Sequence, residues 1–151
     1  MQPGRNVGSA VVTHLLKSRP GSDITAITRQ TSSYSPPSDS GILHKKVDYE
    51  SFGDLVDAFT GQDAVLNCIT GSATQYDPSK HIIDAAVAAG VKCFFANEFV
   101  ANMESEQARR LPESLAGAKY RIREYLKELA SEGKIAWTGL NGGPFFDMCK
   151  Q

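Results

Sequence analysis

Lys119 is the residue whose surroundings ask most of chemistry. In the segment AKYRIREYL, at about 100° per residue, Leu115, Ile122, Leu126 and Leu129 fall on one face of a helix, and Lys119 falls among them. Arg121, Glu124, Lys127 and Glu128 fall elsewhere, where solvent is expected. An ammonium placed among apolar side chains costs several kcal/mol unless it is paired. Such a lysine snorkels outward, finds a partner, or lines a cleft with a depressed pKa.

Two further segments carry anion-binding chemistry. The opening PGRNVGS, with Gly4, Asn6, Val7 and Gly8, runs directly into the apolar stripe Val11, Val12, Leu15 and Leu16. A glycine turn at a helix start lets backbone N–H groups approach a pyrophosphate, although a glycine pair before a helix is also ordinary chain geometry. Arg29 closes DITAITR about 20 residues beyond Gly8, the separation at which a dinucleotide fold reads the adenosine ribose. An acidic residue there favours the 2′-hydroxyl of NAD. Arg29, followed by Thr31, Ser32 and Ser33, suits instead the dianionic 2′-phosphate of NADP. The alternative is a solvated arginine in a polar loop.

The elements that position these residues alternate along the chain. After the first helix, DITAIT reads as a strand, the Ser/Pro-rich segment 30–41 as a loop, and ILHKKVDY as a strand. SFGDLVDAFTG spaces Phe52, Leu55, Val56 and Phe59 as a helix ending near Gly61. DAVLNCIT is near-continuously apolar, as a strand buried on both faces should be. A helix follows in PSKHIIDAAVAAG, with Pro78 in its first turn and Gly90 as its C-terminal cap. VKCFFA, the long helix around ESLAGAKYRIREYLKELASEG, and KIAWTGLN complete the series. This alternation predicts right-handed βαβ units and a doubly wound parallel sheet in one α/β domain over 1–151, with ligands at the carboxyl ends of the strands.

Composition narrows the partners. With 151 residues, 41% of them hydrophobic, the chain can bury one sizeable core. A formal net charge of −1 gives no overall pull toward nucleic acid or an anionic membrane, so neither is expected as a partner, and a small molecule is. No apolar run approaches the ~20 residues that span a bilayer, and no signal-peptide layout is present, so a cytoplasmic location is expected. Cys68, Cys93 and Cys149 are odd in number, lack zinc-site spacing and fit a reducing compartment. Cys68 and Cys93, in strand-like segments, read as small buried hydrophobes. His14, His44 and His81 are scattered, and no metal is assigned.

Together these residues resemble the NmrA-like and isoflavone-reductase-like proteins, atypical short-chain dehydrogenases, along essentially the whole chain. The most specific pieces are ITAITR, VDYESFGDLVDAFTGQDAVLNCITG, IIDAAVAAGVKCFFANEF, GPFFD and the lysine of AKYRIREYL. The resemblance implies a Rossmann-like fold that binds NADP(H). The glycine loop would hold the pyrophosphate, Arg29 the 2′-phosphate, and Lys119 would assist catalysis. Gly71, Asn97, Glu98 and Phe99 would lie near the nicotinamide. The Tyr76-x-x-x-Lys80 match to the short-chain dehydrogenase pattern is set aside, because Pro78 interrupts it and it opens the wrong helix.

The chain also departs from that pattern. Gln2 and Arg5 stand where, counting back from Gly8, the first two glycines of Gly-x-x-Gly-x-x-Gly belong, and Val100 replaces the glycine that follows EF. The strand that precedes the motif and the substrate-binding region beyond GPFFD are both expected to be missing, leaving the sheet without its first central strand. In the usual order 3-2-1-4-5-6, the strands on either side of that gap lose a partner. Three readings follow: part of an NADPH-dependent reductase acting on a small aromatic or enone-like substrate, a nucleotide-sensing regulator with a protein partner, or a non-functional fragment.

Overall fold

In a computed structural model of the chain, residues 7–18, 21–69, 74–99, 104–112, 117–139 and 141 are described. They form α1 (Val7–Ser18), β1 (Thr25–Arg29), β2 (Leu43–Val47), α2 (Phe52–Phe59), β3 (Ala64–Leu66), α3 (Tyr76–Ala88), β4 (Cys93–Ala96), α4 (Glu106–Arg109), α5 (Ala118–Ser131) and β5 (Ala136–Gly139). The mixed α/β order matches the expectation, with α4 as a short helix that periodicity did not reveal. The chain divides into two compact units, Met1–Ala58 and Phe59–Gln151.

In the first unit β1 and β2 form a parallel pair, Thr25 opposite Leu43 through Arg29 opposite Val47. The loop between them fills the predicted Ser/Pro-rich segment. The apolar stripe of α1 is half-buried while Thr13, His14, Lys17 and Ser18 are exposed, and none of its 12 residues is fully buried. Helix α2 begins on a side-chain cap. Ser51 Oγ accepts from the Asp54 N–H at 3.3 Å and donates to Asp54 Oδ1 at 2.9 Å, satisfying a donor that the first turn leaves open.

The second unit holds a parallel sheet in the order β3-β4-β5. Every pairing in the two sheets is one that the expected strand order requires, and the described strands part into two sheets where that order was expected to have its gap. Its core is the face bearing Val65, Phe94 and Trp137, which are in register, with Phe94 0% exposed. Helices α3 and α5 pack against each other, and α5 against β5. They contribute Ile82, Ile83, Ala85, Ala86, Ile122, Leu126 and Leu129, all buried. Gly90 closes α3 as predicted. Its φ of 76° lies in the left-handed region, and Gly90 and Val91 donate back to the Val87 and Ala86 carbonyls.

Two expectations for DAVLNCIT are corrected. Strand β3 covers only Ala64–Leu66, and Cys68 lies beyond it. Asn67 still donates to the Phe95 carbonyl, but its side chain accepts from the Ile69 N–H at 3.2 Å, and this local turn ends the strand. Nor is β3 buried on both faces. Ala64 and Leu66 are exposed, as are their neighbours Phe95, Ala136 and Thr138 on the same face.

Candidate active site

The predicted helical stripe places Lys119 correctly. Ile122, Leu126 and Leu129 are buried, Lys119 is half-buried beside them, and Arg121, Glu124, Lys127 and Glu128 are exposed. Leu115 lies outside the described residues. Lys119 finds a partner: Nζ donates to Asn97 Oδ1 at 2.8 Å, and Asn97 Nδ2 donates to the Ile69 carbonyl at 2.7 Å. Lys119, on α5, is thus tied to the peptides leaving β4 and β3, at the carboxyl ends of two parallel strands. Burial holds its ammonium below the ordinary lysine value, while the nearby Glu98 carboxylate raises it. Phe99 follows on the same peptide and is half-buried.

Glu98 points into the protein and is 2% exposed. Its Oε2 accepts from Arg123 at 3.0 Å, and the other arm of that guanidinium reaches Glu104 Oε1 at 2.7 Å. Arg123 also lies over the Trp137 ring, 5.6 Å from its centre. Burial pushes the Glu98 carboxyl above its ordinary value, and Arg123, then Lys119 and Lys127, pull it back. Gly139 makes room for it, since a Cβ there would overlap the carboxylate. Sequence reasoning overlooked Arg123 and Gly139. The available signal was spacing, for Arg123 stands four residues after Lys119 and shares its side of the helix.

In the first unit, Arg29 ends β1 with its side chain exposed, 5.8 Å from the centre of the Tyr49 ring. The Tyr49 hydroxyl donates to the Ile27 carbonyl at 3.3 Å. Ser32 folds back through its N–H to the Arg29 carbonyl at 3.0 Å, and its Oγ accepts from the Tyr34 N–H at 3.2 Å. The Ser32 O–H can still donate, and hydroxyl and guanidinium donors on the loop that leaves β1 are of the type that binds a phosphate. Val7 and Gly8 are the first two residues of α1, whose opening N–H groups have no acceptor within the helix. Gly4, Asn6 and Gly71 lie outside the described residues, as do Val100 and Cys149.

Tyr76 and Lys80 occupy α3 and are engaged with α5. Arg121 lies 3.9 Å from the centre of the Tyr76 ring, and Lys80 pairs with Asp84 at 2.6 Å, which accepts in turn from the Tyr125 hydroxyl. Cys68 and Cys93 are half-buried free thiols rather than fully buried ones, and burial raises the Cys68 pKa. Among the described residues no helix is long and apolar enough to cross a membrane.

The chain is similar in sequence and fold to known proteins. The chain is 32% identical over 125 residues to the oxidoreductase aprR of Aspergillus flavus, an alignment covering 83% of this chain and 41% of that protein. Triphenylmethane reductase from Citrobacter sp., solved in complex with NADP(H), is 28% identical with a TM-score of 0.70, over 94% of this chain and 48% of that one. Isoflavone reductase, at 24% identity, shares the fold with a TM-score of 0.63, over 87% of this chain and 44% of that one. The chain thus spans less than half the length of each. The NAD(P)H-binding family model matches residues 4–147. The chain belongs to that NAD(P)H-binding family, on the Rossmann-like fold of these reductases.

Proposed function

We propose that the chain forms the cofactor-binding part of an NADPH-dependent reductase of the isoflavone-reductase-like type, acting on a small aromatic or enone-like substrate. The observation that carries this reading is Lys119, half-buried with its ammonium held at 2.8 Å by Asn97 at the carboxyl end of β4. The NADP(H) complex of the similar triphenylmethane reductase supports the choice of cofactor. The residues present fit such a group. Within the first unit the α1 start, Arg29 and Ser32 offer donors of the kind that hold phosphates, and within the second Lys119 and Asn97 offer polar groups of the kind that face a nicotinamide. When bound, the cofactor supplies the hydride. Asn97 orients the Lys119 ammonium, and Lys119 holds or delivers a proton at Nζ toward an oxygen that gains negative charge in the substrate. Burial, by lowering the Lys119 pKa, brings that proton closer to being transferable near neutrality.

Calorimetric titration with NADPH and measurement of NADPH consumption with quinones and enones test the proposal. Lys119→Ala is expected to lower turnover about 100-fold to 10,000-fold, with a smaller effect on cofactor affinity. Parental turnover in that variant rejects a catalytic Lys119. Binding without turnover on any substrate instead favours a nucleotide-sensing regulator that acts through a protein partner, and no binding favours a non-functional fragment.

A further inference from the structure

Asn97 and Glu98 are consecutive, and they hold side chains one helical turn apart on α5. Asn97 takes the Lys119 ammonium at 2.8 Å, and Glu98 takes the Arg123 guanidinium at 3.0 Å. The peptide leaving β4 therefore grips α5 at two points on one side of the helix. The Glu98 end is the firmer one. Its side chain is 3% exposed and that of Arg123 16%, whereas Glu104, on the far arm of the same guanidinium, is 75% exposed.

This grip is costly to maintain. Glu98 Oε1 and Arg123 Nε are buried without a hydrogen-bond partner among the described residues. Buried ion pairs often stabilise less than apolar residues of the same volume, and an unsatisfied buried oxygen adds to the penalty. Gly139 is also required to lack a side chain for the carboxylate to fit. Stability alone gives such an arrangement little reason to exist, and its placement beside Lys119 gives it one.

We propose that Glu98 and Arg123 are the positioning pair of Lys119: they fix the β4 exit against α5, so that Asn97 Oδ1 stands where it receives the ammonium, with Gly139 as the floor that admits the carboxylate. Glu98 is also the charged group acting on Lys119, and Arg123 and Lys127 are the other cations acting on Glu98. That Lys119 does chemistry rests on the reductase reading above. That Glu98 positions and polarises it does not.

The test is a titration of Lys119 itself in the full chain. Lysines are dimethylated with 13C-formaldehyde and followed by NMR, the Lys119 signal being identified by its loss in Lys119→Arg. Glu98→Gln, which keeps the shape and removes the charge, is expected to lower the Lys119 midpoint by about one pH unit. Glu104→Gln, at the exposed end of the network, is expected to leave it unchanged. Arg123→Lys keeps the charge but loses the fork. It is expected to shift both the Lys119 midpoint and the Asn97 side-chain amide resonance, and it decides the matter alone if Glu98→Gln does not fold. An unmoved Lys119 midpoint in the folded Glu98→Gln and Arg123→Lys chains overturns the proposal, whether or not NADPH is consumed. A shifted midpoint together with full turnover in Lys119→Ala leaves the positioning intact and rejects only the catalytic reading.

Discussion

Arg29 and Lys119 are both cations at the ends of parallel strands, and the chain treats them in opposite ways. Arg29 stands exposed at the end of β1, its guanidinium over the Tyr49 ring, in a unit whose first helix has no fully buried residue. Lys119 is half-buried on the helix face that buries Ile122 and Leu126, and it bonds Asn97, next to the Glu98–Arg123 pair. The exposed cation stands largely in water, so what it adds to binding depends on the charge of the ligand it meets. The buried one has already lost water, and its protonation is set by the protein. Recognition of a dianionic phosphate tolerates the first environment. Proton chemistry near neutrality requires the second.

The largest effect expected from breaking this contrast is at Arg123. Arg123→Met leaves Glu98 buried without its cation, a change that typically costs about 3 to 5 kcal/mol. The sign of the pH dependence follows from the raised pKa of Glu98. The folded state binds the Glu98 proton more tightly than the unfolded state, so its contribution to stability is complete below the unfolded value of about 4.3 and is lost as pH rises through the folded value. Removing Arg123 takes away the strongest opposing influence and raises the folded pKa further. Denaturant melts of Arg123→Met between pH 4 and 8 should therefore show stability falling more steeply with rising pH than in the parent, and Glu98→Gln should remove that component. A parallel pair of curves would mean that Glu98 is not the group being titrated.

Next in size is the apolar support of Lys119. Leu126 is 0% exposed, and Leu126→Ala should cost about 2 to 5 kcal/mol in a urea melt. The half-buried Leu15 of α1 should cost clearly less on the same substitution. Equal losses would show that the two units are supported by comparable cores.

How far these regions could be read from sequence differs for the same physical reason. Lys119 was legible because helical periodicity places a residue without knowing its neighbours, and Ile122, Leu126 and Leu129 are buried on the stripe that was expected. The α/β order was legible because β-branched runs, the Ser/Pro loop and Gly90 are local signals. Arg123 was not, since a basic residue on a helix reads as solvent-facing until Glu98, 25 residues earlier, is brought beside it. The end of β3 was missed because an apolar run does not announce that Asn67 will turn the chain with its own side chain. The exposure of Leu66 and Phe95 was hidden too, because apolar residues on the two faces of a strand look alike in sequence.

At the exposed cation the expected effect is on ligand choice rather than stability. A charge-assisted bond to a 2′-phosphate contributes about 1.5 to 3 kcal/mol, so Arg29→Ala should reduce the preference for NADPH over NADH by about 10-fold to 150-fold in paired titrations. Tyr49→Phe, which removes only the bond to the Ile27 carbonyl, should change that ratio less. An unchanged ratio in Arg29→Ala would show that this arginine is solvated and idle.

The smallest effect is expected at Phe95 of β4, and its buried neighbour Phe94 supplies the contrast. Phe94 is 0% exposed and Phe95 38%, and successive side chains of a strand point to opposite faces. Phe94→Ala should therefore cost about 3 to 5 kcal/mol, as a large aromatic side chain leaves a closed core. Phe95→Thr keeps a residue suited to strands beside Leu66 and Thr138, and on an exposed face it should stay within about 0.5 kcal/mol of the parent. Both variants can be measured by urea melts of the same chain, with the slope checked for two-state behaviour. A cost for Phe95→Thr approaching that of Phe94→Ala would mean that the face of Leu66 and Phe95 is covered in solution, and the contrast between a closed and an open face of this sheet would fail.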